Sequence, residues 1–209
     1  MEKHIMTNTK RFVSHVRNHL KEYGFVLVFG RGSKVNINSA RCEGYFSTSP
    51  SKEIRVATNN VGWMDILAHE YCHFLQWLDK PQNILKIEDT AGIIVHNISI
   101  GYMPIRYGPK RIDDAFMKIA EMERDCERRT VQIIKKWELP INKDLYIRRA
   151  NLYIYLHHMW KLHRTLKTRF NPNTSRRILS SMPKTFKAKS HLILPRRVER
   201  ELARCFINP

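Results

Sequence analysis

The sequence predicts an α+β fold, a small twisted sheet packed on one helix with further helices toward the C-terminus. Three observations lead there. Strand-like segments are confined to residues 25–58. A helical apolar period precedes them and another follows at once. Everything beyond residue 80 reads as helix or turn.

Taken in order, residues 7–23 form the first amphipathic helix, with Phe12, Val13, Val16, Leu20 and Tyr23 on one face and Gly24 as its stop. Phe25–Phe29 is a short apolar strand. Gly30 to Ser33 makes a turn, and Lys34–Asn38 alternates as a strand with one buried face does. Cys42–Ser47 and Glu53–Thr58 are two more strands, divided by the turn residues Ser49, Pro50 and Ser51. Asn59 or Asn60 caps a helix over Val61–Asp79 that Pro81 closes. A helix from Glu88 to about Ile100 ends at Gly101. Ile112–Glu138 is a long helix with Phe116, Ile119, Met122, Cys126, Ile133 and Trp137 at near-helical spacing, broken by Pro140. Lys143–Leu166 is a further helix rich in aromatics and His, and a last short helix lies near Arg196–Cys205. Asn171 to Ser175 marks a boundary, so one domain is expected over 1–170 and a basic extension over 171–209.

Composition bounds the function classes. The 209 residues are 43% hydrophobic and 10% aromatic, which suits a globular chain with one good core. No run of about 20 apolar residues exists to span a membrane; the nearest, Ala91–Ile105, is short and holds His96 and Asn97. The first residues mix charges and form no signal-peptide core. Cys42, Cys72, Cys126 and Cys205 are scattered, as reduced cysteines of a cytoplasmic protein are. The net charge of +18 is uneven. From Pro140 onward there are 16 Lys+Arg and 3 Asp+Glu (+13), against 21 and 16 (+5) before it. A basic surface of this kind suits nucleic acid, or else is a solvated tail.

The chemistry concentrates in His69-Glu70-Tyr71-Cys72-His73, the pattern H-E-x-x-H. Helix positions i and i+4 share a face. His69 and His73 can therefore direct two imidazoles at one Zn²⁺, while Glu70 reaches an activated water as general base. Between Ile66 and Trp77 there is no Lys, Arg, Asp or Pro. Burying two His and a Glu in such a helix costs several kcal/mol, on the order of 2–7 per group, unless something satisfies them. A metal ion satisfies all three.

A catalytic zinc takes three protein ligands and keeps one position for water. Downstream, Glu121-Met122-Glu123-Arg124-Asp125 reads E-x-x-x-D. Glu121 is the expected third ligand, and Asp125 the expected acceptor for the outward nitrogen of a ligand His. With these residues the chain resembles the gluzincin class of zinc metallopeptidases, which carry H-E-x-x-H on one helix and E-x-x-x-D on a later one. It is similar as well to the minimal zincins of phages and bacteria, the SprT-like and ImmA/IrrE-like proteins. The resemblance spans about Phe25–Trp137. It implies a zincin-like fold, zinc, a glutamate-activated water, peptide-bond hydrolysis, and an edge strand that pairs with extended substrate, here Glu43–Ser47 or Glu53–Thr58. SprT-like enzymes use a third His, which no residue here matches.

Other ligands remain open. Asp79 lies six residues after His73, where metzincins place theirs, but Gln76 stands where those enzymes need Gly. Glu123 is a second acid on the long helix, followed four residues on by Glu127 rather than Asp. In the plainer reading the acidic cluster is a solvated face pairing with Arg124, Arg128 and Arg129. An oxyanion donor is expected from the helix beginning at Lys143, with Tyr155 or His157 the candidates among Arg148, Tyr153 and His158. Cys72 is a packing residue, not a nucleophile. Arg148, Arg149, Lys161, Arg164, Lys167 and Arg169 recur at near-helical intervals with Tyr153, Tyr155 and Trp160 between them, a pattern compatible with single-stranded nucleic acid. Two functions follow: a zinc metallopeptidase acting on protein or peptide, or a metal-containing module that binds nucleic acid or protein without proteolysis.

Overall fold

The computed structural model describes residues 2–37, 40–80, 82, 87–99, 102, 107–186 and 193–206. The expected stops at Pro81 and Gly101 lie outside these. The fold is α+β, as the sequence predicts. Its elements are α1 (Glu2–Glu22), β1 (Val26–Gly30), β2 (Val35–Ile37), β3 (Ala40–Cys42), β4 (Gly44–Ser47), β5 (Glu53–Ala57) and α2 (Trp63–Asp79). A π-helical turn (Glu88–Gly92) leads into α3 (Ile93–Ser99), then α4 (Pro109–Lys136), α5 (Lys143–His163), α6 (Arg176–Ser181) and α7 (Arg196–Ala203).

The chain divides into two compact units: residues 1–79 with 129–142, and residues 80–128 with 143–209. Helix α4 runs through both ranges.

In the first unit, α1 buries Phe12, Val16 and Leu20, spaced by one turn. Gly24 adopts φ 76°, the left-handed turn that lets Phe25 N reach Leu20 O at 2.9 Å. The main sheet has the order β1-β5-β4, with β1 parallel and β4 antiparallel to β5. β2 and β3 form a separate antiparallel ladder. The predicted strand over Cys42–Ser47 is thus two strands, parted at Glu43. Helix α2 packs on β4 and β5, and its Phe74 and Trp77 rings meet Phe46 of β4 and Phe25, just before β1. Asn60 accepts a hydrogen bond from Gly62 N at 2.8 Å, a local turn ahead of the helix rather than the expected cap, because the helix begins at Trp63 and not at Val61.

In the second unit, the π-helical turn, α3 and the first half of α4 bury Ala91, Ile94, Ile98, Ile112, Ala115 and Phe116 together. A second cluster joins Leu152, Tyr155 and Met159 of α5 to Ile178, Val198, Leu202 and Phe206. The expected extension from residue 171 therefore shares a core with α5. Helix α6, not anticipated, is capped by Ser175 Oγ accepting from Ile178 N at 3.3 Å. Among the described residues no helix is long and apolar enough to cross a membrane.

Candidate metal centre

Helix α2 has a buried apolar side carrying Leu67, Ala68, Tyr71 and Phe74. His69 and His73 are half-buried, one turn apart. Their Nε2 atoms approach to 3.1 Å, with the rings at 86° to one another. Two nitrogens bound tetrahedrally at 2.0–2.1 Å from one zinc sit about 3.3 Å apart. The pair therefore already has the separation that one ion demands.

The tautomer is set as well. Gln76 Oε1 lies 3.0 Å from His73 Nδ1 and can only accept, so the ring proton sits on Nδ1 and the Nε2 lone pair faces His69. Gln76 is itself buried at 6% exposure, which holds the acceptor in place. In the sequence Gln76 stands out only as the residue that breaks a metzincin pattern. Its value lies in the i,i+3 helical spacing from His73, a signal that was present in the chain.

Glu70 is buried at 9% exposure. It lies beneath β4: a Cβ built on Gly44 would be 3.6 Å from Glu70 Cγ. Cys42, at the end of β3, senses the same carboxylate. Burial first, and then the Glu70 charge, push its thiol above the ordinary value. Of the two strands expected to present an edge, β5 is central and β4 is at the border.

Cys126 of α4 is buried. The sequence marked Cys126 only as part of the apolar stripe of that helix.

Glu121 is exposed, five residues before Cys126 and so about 140° from it around the helix. Asp125 is half-buried, and both acids act electrostatically on Arg124, partly offsetting the burial and the Arg128 charge that lower its pKa. The buried carboxylates of α4 are instead Glu123 (7% exposed) and Glu127 (5%), the latter accepting a hydrogen bond from Tyr146 Oη. Asp79 pairs with Arg129 at 2.6 Å.

The residues expected to supply an oxyanion donor are enclosed. Tyr155, in the apolar cluster of α5, and His157 are each 1% exposed. His157 Nδ1 donates to Tyr153 O at 3.0 Å, and burial lowers its pKa against the opposing charge of Glu123. Neither offers a donor at the surface. Comparison of the chain with protein-family models, curated proteins and solved structures yields no match.

Proposed function

We propose that this protein is a zinc-dependent metallopeptidase, with His69 and His73 holding the ion and Glu70 as general base. The observation that carries the reading is the paired Nε2 atoms of His69 and His73, 3.1 Å apart, on the helical turn that also places Glu70 beneath an edge strand. When bound there, zinc supplies a Lewis acid that polarises a carbonyl and makes water acidic near neutral pH. The Glu70 carboxylate takes a proton from the attacking water and returns it to the departing amine. Its burial against Gly44 excludes bulk water from that exchange. The free border of β4 offers backbone groups to an extended peptide, which would align it beside Glu70. Gln76 keeps the His73 lone pair available.

Metal analysis of protein purified without chelator tests this directly. We expect about one zinc per chain in the wild type, lost in His69→Ala. Glu121→Ala should keep the metal, because its side chain points to solvent. Loss in Glu121→Ala or Glu123→Gln would assign the third position to that carboxylate. Glu70→Gln should keep the zinc and lose hydrolysis of an unfolded protein substrate. No zinc in the wild type would overturn the reading. Bound zinc with no hydrolysis by the wild type would favour a binding module instead.

A further inference from the structure

Two cations of the stripe expected along α5 are engaged within its own unit. The Arg148 guanidinium donates to Leu179 O (2.8 Å), Ser180 O (2.8 Å) and Met182 O (3.1 Å), tying down the end of α6. Arg164 pairs with Asp113 at 2.6 Å. Tyr155 lies in the core. A further run of exposed cations lies on α6 and α7.

These two helices pack their apolar residues inward. Ile178, Val198 and Leu202 join the α5 cluster. The outward faces carry Arg176, Arg177, Arg196, Arg197, Arg200 and, just past α7, Arg204, all exposed. After Asp144 the only acids in the chain are Glu199 and Glu201. Glu201 is shared by several cations: Arg177 at 2.8 Å and Arg204 at 3.2 Å bond it, and with Arg197 they hold its carboxyl below the usual range. Arg177 and Arg204 still leave 68% and 58% of their side chains exposed, so each keeps N–H donors for another acceptor. Among the described residues Arg196, Arg197 and Arg200 make no ion pair. Arg196 and Arg200 border an open groove of about 550 Å³ with Glu199 and Ala203. The Arg169 backbone N–H donates to Cys205 O at 2.7 Å, which brings that residue and the exposed Phe170 beside the end of α7.

We propose that the α6–α7 face binds the phosphate backbone of nucleic acid. Packing does not require this charge, since like charges one helical turn apart repel by a few tenths of a kcal/mol per pair, about 0.2–0.5. Every cation on the two helices is Arg although the chain also uses Lys freely. The planar guanidinium fork matches a phosphate in a way an ammonium does not. A bilayer surface is the weaker match. A membrane helix presents apolar side chains for insertion, whereas Val198 and Leu202 of α7 are committed to the core. This inference is independent of the metal site.

The test is fluorescence anisotropy of the full-length protein with a labelled 20-nucleotide single strand and its duplex over a salt series. Arg196→Glu/Arg197→Glu/Arg200→Glu is compared with Lys10→Glu/Arg11→Glu/Lys21→Glu, an equal charge change on exposed positions of α1. The first triple should lose at least tenfold in affinity at 0.1 M salt. Its slope of log K against log salt should fall by about 2–3, the counterions of three phosphate contacts. The α1 triple should change the slope by less than about 1. Should the Glu triple melt early, Arg196→Gln/Arg197→Gln/Arg200→Gln gives the same comparison with a smaller charge change. Equal losses in the two triples would overturn the proposal, as would an absence of wild-type binding. Binding to phosphatidylserine vesicles that the α7 triple abolishes while nucleic-acid binding persists would overturn it too.

Discussion

Gly44→Ala tests whether the contact between β4 and the helix bearing His69 and His73 is as close as drawn. A Cβ at residue 44 would overlap Ile66 Cγ2, sit 3.0 Å from the Arg55 carbonyl oxygen, and meet Glu70 Cγ in ordinary contact at 3.6 Å. The Arg55 oxygen belongs to β5, whose ladder with β4 is antiparallel through Gly44↔Val56 and Tyr45↔Arg55, so it cannot retreat alone. Ile66 must therefore change rotamer or α2 must move by several tenths of an ångström. Overpacking of this kind costs about 1–3 kcal/mol. In a chain of this size that lowers the thermal midpoint by about 2–12 °C. Ile66→Ala removes the obstructing methyl and should relieve the clash in the double variant. Circular-dichroism melts and urea titrations of the two single variants and the double then yield a coupling energy of about 1–2 kcal/mol in the rescuing direction. Strict additivity, or an unchanged midpoint for Gly44→Ala, would refute the close approach and with it the placement of Glu70 under the edge strand.

Two further predictions follow from the same unit. Gln76→Leu removes the acceptor from His73 Nδ1 and should weaken zinc binding about 10–100-fold in competition with a chromogenic chelator, whereas Gln76→Glu, which keeps an acceptor, should not; equal affinities for all three proteins would show that Gln76 has no hold on the ligand. His15 should titrate below the usual 6.5, chiefly because it is buried and then because His19 and Lys136 repel its charged form, with Glu22 opposing them. Its folded pKa lies below the unfolded one, so its contribution to stability is complete above pH 6.5 and is lost as pH falls through the folded value. The wild type should therefore lose more of its thermal midpoint than His15→Gln between pH 7 and about 5, and a ring titration by NMR at or above 6.5 would contradict this.

His15 also shows what a linear reading misses. Tyr71 Oη lies 2.7 Å from His19 Nδ1 and 3.1 Å from His15 Nε2. A phenol has one proton, so it donates to one ring and accepts from the other. This clamp anchors α2 to α1 across more than fifty residues of chain. In the sequence, His15 and His19 lie between the apolar positions of α1, and Tyr71 lies between His69 and His73.

What the sequence determined by itself is what depends on local geometry. Helical periodicity put His69 and His73 on one face with Glu70 beside them, and alternation with turn residues confined the strands to residues 25–58. Both follow from a repeat of 3.6 or 2 residues, which any stretch of chain carries within itself. The tertiary structure decided the rest. The rotational setting of α4 turned Cys126, Glu123 and Glu127 inward and Glu121 outward. The pattern E-x-x-x-D records a spacing, while burial depends on which stripe the neighbouring core accepts. Strand order placed β4 rather than β5 at the border of the sheet, since pairing partners are chosen across the chain. Packing likewise spent Arg148 on three carbonyls at the end of α6 and just beyond it, and left the arginines of α7 in solvent. Charge is readable residue by residue, but whether a cation is free to meet a ligand depends on the acceptors that folding brings to it.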